Sequence, residues 1–455
     1  MYKSYCEFED SKAGWILNSA NEIDHLFHWD GVNLRSSWIR NKWTDISGLD
    51  RGIVDDLLVR NVSVEVMDDH LNSLVSNRIT HSLRASPLYK KARALKQRAV
   101  WIGHQTVDKP KGRPLIAVHH WKFVNHLRSG RLLEEIDPMW LVKNPSQAQF
   151  LGLRDKDPLL AQSISLEQAE SDDPLAGLKD IFFDLELTVI SSEPSCIFVI
   201  EGDAPYQSIL SEIGLKHKIP VYCLQWGIFH KNKLRTAFSG MSYSKFLSWG
   251  FFFEKQLKEH SPHLDFIKFG YPALSRINED SKNIIFLSQG VGDNVEEKHE
   301  QELIRLAIDL AKKFPERVRW RSHPNSTLTI QAFSNLVKGG VEICDSKAHI
   351  GCQLQDSMIA IGISTSSLVD AVNVGVIPVI FNSTCQKNYP FPIVEDGLGM
   401  EFGNSYDALK GIADIISNKD SINKFRERIL EKSRDYFHPV TMAERKGIIK
   451  QLVKN

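Results

Sequence analysis

Short, continuous apolar runs alternate with amphipathic stretches through most of the chain beyond about residue 110. A strand buried on both faces loses the in-out alternation of a half-buried one, so such runs separated by amphipathic helices predict parallel, helix-covered sheets. The first series begins after the turn-rich KPKGRP. It has a strand at Leu115–Val118, a helix-like segment around Lys122–Glu135 and a strand at Trp140–Val142. An acidic, polar excursion with some helix follows over Asp155–Asp180. The clearest unit is the strand Cys196–Ile200, the helix Tyr206–His217 and the strand Val221–Leu224. After a break near Gly270-Tyr271-Pro272 the alternation restarts. Strands are predicted at Ile284–Leu287, Val318–Arg321, Val341–Cys344 and Met358–Ile361, with Ile377–Phe381 closing the sheet. Helices are predicted over Glu297–Phe314 and from about Ser366. Two successive series of this kind predict an α/β protein with two Rossmann-like lobes. Ligands of such sheets bind at the carboxyl ends of the strands, so the site is expected in a cleft between the lobes.

Residues 1–110 differ. They are rich in Trp, Asp, Arg and Asn and carry helix-like patterns at Gly52–Arg60 and Tyr89–Arg98. They read as a mainly helical N-terminal extension, followed by a first lobe over 111–270 and a second over 271–455 with C-terminal helices. The length of 455 residues fits this division, since about two or three domains are expected at that size.

Composition narrows the function. Lys+Arg and Asp+Glu both number 56, and this balance argues against a nucleic-acid binder, which carries a basic excess. The six cysteines are scattered without a CxxC pair. Cys196 and Cys223 lie inside apolar strands and are expected to be buried free thiols. The opening MYKSYCEFEDSKAG has no apolar signal segment, and no stretch approaches the ~20 apolar residues of a membrane span. These features predict a protein of the reducing cytoplasm, with at most peripheral contact at the inner face of the membrane.

Candidate chemistry gathers at predicted strand ends. In RSHPN, Arg321, His323 and Pro324 follow a strand, where the guanidinium and imidazole suit phosphate oxygens; the same His would also cap a turn. In GISTSSLVD, a strand ends in Gly362, and Ser364, Thr365, Ser366 and Ser367 lead into a helix. Backbone N–H groups and hydroxyls there suit an anion, although an ordinary helix cap reads alike. Asp370, one turn in, could accept from a ribose diol. In the loop Ser288–Asp293, Gln289 and Gly290 offer close backbone approach to a pyrophosphate, or form a plain turn. In the first lobe, Glu201 and Asp203 follow a buried strand, where one could act as general base, or Asp203 could cap the next helix. His119, in the pair after Leu115–Val118, is the rival base. His230 lies close behind the turn Gln225-Trp226-Gly227. The sequence has no HExxH and no DxD in a fitting context, and the DxE at Asp184–Glu186 falls in a helix-like segment. Chemistry without a metal or cofactor is expected.

With these residues in place, the chain resembles bacterial GT-B transferases of capsule and surface-carbohydrate synthesis, a group that includes polysialyltransferases, Kdo transferases and teichoic-acid glycerophosphotransferases. The likeness spans roughly Gly112 to Phe402. It rests on EGD after a strand, PVYCLQWG, FGYP, and the RSHPN and GISTSS pair. The resemblance implies a GT-B fold, with the acceptor on the first lobe and a nucleotide sugar on the second. His323 and Ser364 to Ser367 would bind the nucleotide phosphate, and Glu201 or Asp203 would be the base. Many relatives carry His where this chain has Trp226, so that residue's role does not transfer. The implied reaction is metal-independent, inverting transfer from a CMP- or UDP-sugar to an oligosaccharide or lipid-linked glycan. The alternatives are a UDP-sugar 2-epimerase, a CDP-glycerol glycerophosphotransferase and a non-catalytic sugar-nucleotide-binding protein. Epimerases usually place a Ser-Gly-Gly turn and a Glu where this chain reads Ser-Thr-Ser-Ser.

Overall fold

A computed structural model describes residues 5–47, 111–117, 127, 132, 136–142, 158–160, 175–271, 280–291, 295–323, 328–346, 348, 350–363, 365–383, 389 and 391–454. The segments Gly52–Arg60 and Tyr89–Arg98, and most of Lys122–Glu135, lie outside these residues.

The chain starts with helices Tyr5–Glu22 and Arg35–Ser47 on either side of a small hairpin, β1 (His28–Trp29) and β2 (Val32–Asn33). Asp30 and Gly31 both adopt positive φ at its tip, the backbone that an Asp-Gly hairpin turn requires. The helix Arg35–Ser47 packs on the first-lobe helix Pro205–His217, burying Trp38 and Ile39. Buried Glu212 fastens the hairpin, accepting from the Asn33 N–H at 3.2 Å and the Ser242 hydroxyl at 2.7 Å.

Seven parallel strands form the first sheet: β3 (Leu115–Ala117), β4 (Met139–Val142), β5 (Pro158–Leu160), β6 (Ile197–Ile200), β7 (Val221–Leu224), β8 (Lys245–Ser248) and β9 (Phe266–Lys268). Their order is β5-β4-β3-β6-β7-β8-β9. β6 and β7 are buried throughout, which is why they read as unbroken apolar runs. The polar excursion holds β5 as well as the start of the helix Ala176–Ser192. Cys196 and Cys223 are buried free thiols.

The second sheet has six parallel strands: β10 (Asn283–Leu287), β11 (Val318–Arg321), β12 (Glu342–Ile343), β13 (Ser357–Gly362), β14 (Ile377–Phe381) and β15 (Met400–Phe402). Its order is β12-β11-β10-β13-β14-β15. β14 therefore does not close this sheet; β15 lies outside it. In both sheets the strand order reverses direction once, between β3 and β6 and between β10 and β13. These are the switch points where doubly wound sheets open a crevice.

The two lobes are tied by the end of the chain. Helices Ser405–Ile416 and Lys419–Tyr436 belong to the second lobe's layers, with contacts to β15 and β14 respectively. The last helix, Met442–Lys454, returns to the first lobe, where Ile449 and Leu452 join Ile116, Phe198 and Leu224 in one apolar cluster. At the crossing the backbones meet at Gly250, where a Cβ would fall 1.6 Å from the Tyr436 carbonyl oxygen. The buried His438 ring pairs with Glu254 at 2.6 Å, and Trp249, Tyr271 and Phe437 stack edge to face beside it.

Candidate functional site

The second-lobe half of the site is built from three adjacent strand ends. β10 lies between β11 and β13, so the loop Ser288–Val291 runs between the end of β11 and the start of the helix Ser367–Val374. The Ser288 N–H donates to the Arg321 carbonyl at 3.0 Å, tying the first two loops. Gly362, at the end of β13, has no room for a side chain: a Cβ would meet the Thr365 methyl at 2.5 Å. Thr365 is buried, and its Oγ1 accepts from the Ser367 N–H at 3.3 Å while its carbonyl accepts from the Tyr389 hydroxyl at 2.5 Å. Ser366 is exposed and makes no side-chain cap, and Ser367 is half-exposed. The helix therefore presents its N-terminus, with its partial positive charge, beside two hydroxyl residues. His323 is half-exposed at the end of β11.

Three sequence-predicted residues of this lobe make contacts within the protein. Arg321 is buried and its guanidinium turns into the loop after β12 and the helix Ile350–Gln355. There it donates to Asp345 O, Gln353 Oε1, Ser346 O and Ala348 O at 3.2, 2.6, 3.0 and 2.9 Å. The group expected on a phosphate thus holds the neighbouring loop. Gly290 has positive φ, and its N–H donates to the Ser288 hydroxyl at 2.9 Å. Asp370 accepts from the Tyr271 hydroxyl, a contact between the interlobe linker and the helix Ser367–Val374. Burial pushes its carboxyl up to about 6, against the pull of Tyr271, Arg321 and Ser367. Gln289 lies in the described loop; Pro324 and Ser364 lie outside the described residues.

In the first lobe, Glu201 and Gly202 take consecutive left-handed conformations, φ 80° and 85°, directly after β6. Such a conformation costs a non-glycine residue of order 1–3 kcal/mol and collects at functional sites. The turn is over-determined. The Glu201 N–H donates to the Leu224 carbonyl at 2.9 Å, and the Tyr243 hydroxyl donates to the Gly202 carbonyl at 3.0 Å. A Cβ at Gly202 would sit 2.7 Å from Cys223 Sγ. The N-cap position of the following helix is Ala204. Gln207 accepts from the Ala204 N–H at 3.1 Å. Asp203 pairs with Lys233 at 2.9 Å. His230, one turn before Lys233, is driven down to about 4 by burial and by the Lys233 charge, so its imidazole is neutral near pH 7. His119 lies outside the described residues.

Sequence reasoning missed Lys233 and Arg40. Buried Arg40 donates to the Ala237 carbonyl at 2.5 Å, and its charge reaches Cys223 and Tyr243, the two side chains beneath the Glu201–Asp203 turn. The N-terminal helix Arg35–Ser47 thus supplies a cation to the floor of the first-lobe site. Asp184 and Glu186 are on the helix Ala176–Ser192, where Glu186 pairs with His217 and Lys216 at 2.7 and 3.0 Å.

No family model matches the chain, and no curated protein is similar to it in sequence. Solved structures do resemble it. UDP-GlcNAc 2-epimerase from Neisseria meningitidis, bound to UDP-GlcNAc, superposes with a TM-score of 0.51 at 12% identity, over 75% of this chain and 100% of its own. MurG from Acinetobacter baumannii gives 0.50 at 10% identity, over 76% and 100%. The S. aureus MnaA–UDP co-structure gives 0.50 at 10% identity, over 70% and 91%. At such identities the likeness speaks to architecture. With its two all-parallel, doubly wound sheets and a last helix that returns to the first lobe, the chain has the GT-B fold.

Proposed function

We propose that the chain is a sugar-nucleotide enzyme, and specifically a metal-independent inverting glycosyltransferase. It moves a sugar from a CMP- or UDP-sugar to a growing bacterial surface glycan. One observation carries the reading. At the second lobe's switch point, His323, Ser366, Ser367 and a helix N-terminus border one loop, while in the first lobe the acidic turn Glu201–Asp203 follows β6, beside that lobe's switch point. The first group suits a nucleotide phosphate and the second an acceptor hydroxyl. The fold is one also found in a UDP-GlcNAc 2-epimerase bound to UDP-GlcNAc.

In this mechanism Asp203 takes the proton of the acceptor hydroxyl, with Lys233 fixing the carboxylate's orientation; Glu201 and His119 are the alternative bases. The hydroxyl oxygen attacks the anomeric carbon as the bond to the phosphate oxygen breaks on the opposite face, which inverts the centre. Negative charge growing on the departing phosphate is met by His323, by the Ser366 and Ser367 hydroxyls, by Ser364 and by the N–H groups at the helix start. Fixed donors aimed at developing charge lower the barrier without reorganising. The acceptor is an oligosaccharide or lipid-linked glycan. Among the described residues no helix is long and apolar enough to cross a membrane, so a lipid-linked acceptor would be met at the membrane face.

A UDP-sugar 2-epimerase is the second reading, because such enzymes share this fold. Residues 364–367, Ser-Thr-Ser-Ser, support transfer over it. The test starts with thermal unfolding in the presence of CMP, CDP, UDP or GDP. One of them at 100 times its dissociation constant should add ~2.7 kcal/mol of apparent stability. The corresponding sugar nucleotide is then incubated with and without a glycan acceptor. Acceptor-dependent release of the nucleotide is expected; a changed sugar without acceptor would identify an epimerase. Absence of stabilisation by every nucleotide would contradict both readings.

A further inference from the structure

The loop Ser288–Val291 is held from behind by a carboxyl group that the proposed mechanism leaves unused. Glu300, on the helix Glu297–Lys313, is only 6% exposed. Its Oε1 accepts from the Ser288 hydroxyl at 2.5 Å, and that hydroxyl accepts from the Gly290 N–H at 2.9 Å. Glu300 therefore sets the loop's conformation through a two-bond relay. Its second oxygen, Oε2, is buried and has no hydrogen-bond partner among the described residues. Leaving a buried polar atom unpaired is costly, the more so for a charged group, so its retention calls for an explanation.

We propose that Glu300 is a positioning residue that links phosphate binding on this loop to the uptake of one proton. The inference rests on the reading that the second lobe binds a nucleotide. When phosphate oxygens approach the loop, their charge opposes an ionised carboxylate behind it. In a desolvated setting such like charges favour the protonated carboxyl. A solvent proton adds to Glu300; no other bond changes, and Oε1 still accepts from Ser288. The surroundings leave this titration to Glu300. Burial raises its carboxyl and the Ser288 hydrogen bond lowers it. The elements packed on its helix carry the charged groups Arg319, Arg321, Lys338, Asp407, Lys410 and Asp414.

The test is calorimetric titration of the full chain with UDP and with CDP, from pH 6 to 8, in two buffers of different ionisation enthalpy. For whichever nucleotide binds, the wild type should take up protons on binding. Its affinity should fall with rising pH, approaching about tenfold per unit, the limit for one linked proton. Glu300→Gln keeps the acceptor for Ser288 but cannot ionise. It should lose that uptake and flatten the pH profile by the same amount. The nucleotide's own terminal phosphate titrates in both proteins and cancels in the difference. Ser288→Ala should keep the uptake and bind about three- to tenfold more weakly at every pH. Equal proton uptake by the wild type and Glu300→Gln would overturn the inference while leaving the nucleotide site standing. Failure of the wild type to bind any nucleotide would remove the underlying reading as well.

Discussion

Asp203 and Asp370 are carboxyl groups that the fold puts to different work. Asp203 follows β6 and is held by Lys233 at 2.9 Å. As the proposed base, its replacement by Asn should reduce turnover by ~10²–10⁴-fold, the usual contribution of a general base. Donor affinity should stay nearly intact, and steady-state kinetics with calorimetry separate the two. Asp370 serves the interlobe contact with Tyr271. Burial raises its folded-state pKa from the ordinary 3.8 to about 6. Between these values the folded chain binds more protons than the unfolded one, so stability must fall as pH rises through that window. Asp370→Asn should lack this share of the decline, visible as a shallower drop in melting temperature between pH 4 and 6. Parallel profiles for the two proteins would contradict the assignment. Both carboxyls were legible in the sequence because acids at the ends of buried apolar strands or the starts of helices stand out. The partners that define them were not. Lys233 and Tyr271 are 30 and 99 positions away, and Arg40 lies in a segment with no local signal for this site. Arg321 was legible as a strand-end cation, but local pattern cannot tell a phosphate ligand from a loop scaffold.

At the scale of elements, the central strands other than β8 were read to within about one residue because burial on both faces leaves an unmistakable apolar run; β8, though interior, is a run of four residues that opens on a lysine and was not read. β9 and β15 went unseen. Both are edge strands of three residues, with partly exposed patterns, and a strand with a single neighbour need not be apolar on both faces. β5, also at an edge, sits inside a polar stretch. The interlobe crossing was likewise invisible, because Gly250 reads as an ordinary turn until Tyr436 is placed against it. Its extended backbone would accept any residue; the missing space is what demands glycine. Gly250→Ala should therefore cost ~1–3 kcal/mol or more through overpacking that a backbone neighbour cannot relieve. Denaturant unfolding measures this, and a change within a few tenths of a kcal/mol would mean that the crossing yields freely.

For the whole molecule, two lobes were predictable from two alternating series, but the way the ends of the chain bind them was not. The final helix fills the face of the first sheet beside Phe198 and Leu224, and the Arg35–Ser47 helix carries Arg40 beneath the Glu201–Asp203 turn. The sequence pattern placed no helix at 35–47 and gave the C-terminal helices without bounds; even a helix read from periodicity does not name its docking partner, since an amphipathic face fits many surfaces. The account's central claim is that the second lobe's switch point, at the ends of β10, β11 and β13, holds a nucleotide. Calorimetric titration of the wild type and His323→Ala with the nucleotide selected by thermal unfolding tests this most directly. A charge-assisted hydrogen bond of about 1.5–3 kcal/mol corresponds to at least a tenfold loss of affinity. The account predicts saturable binding by the wild type and a loss of that size in His323→Ala, with an unchanged melting temperature without ligand. Equal affinity in the two proteins would contradict it.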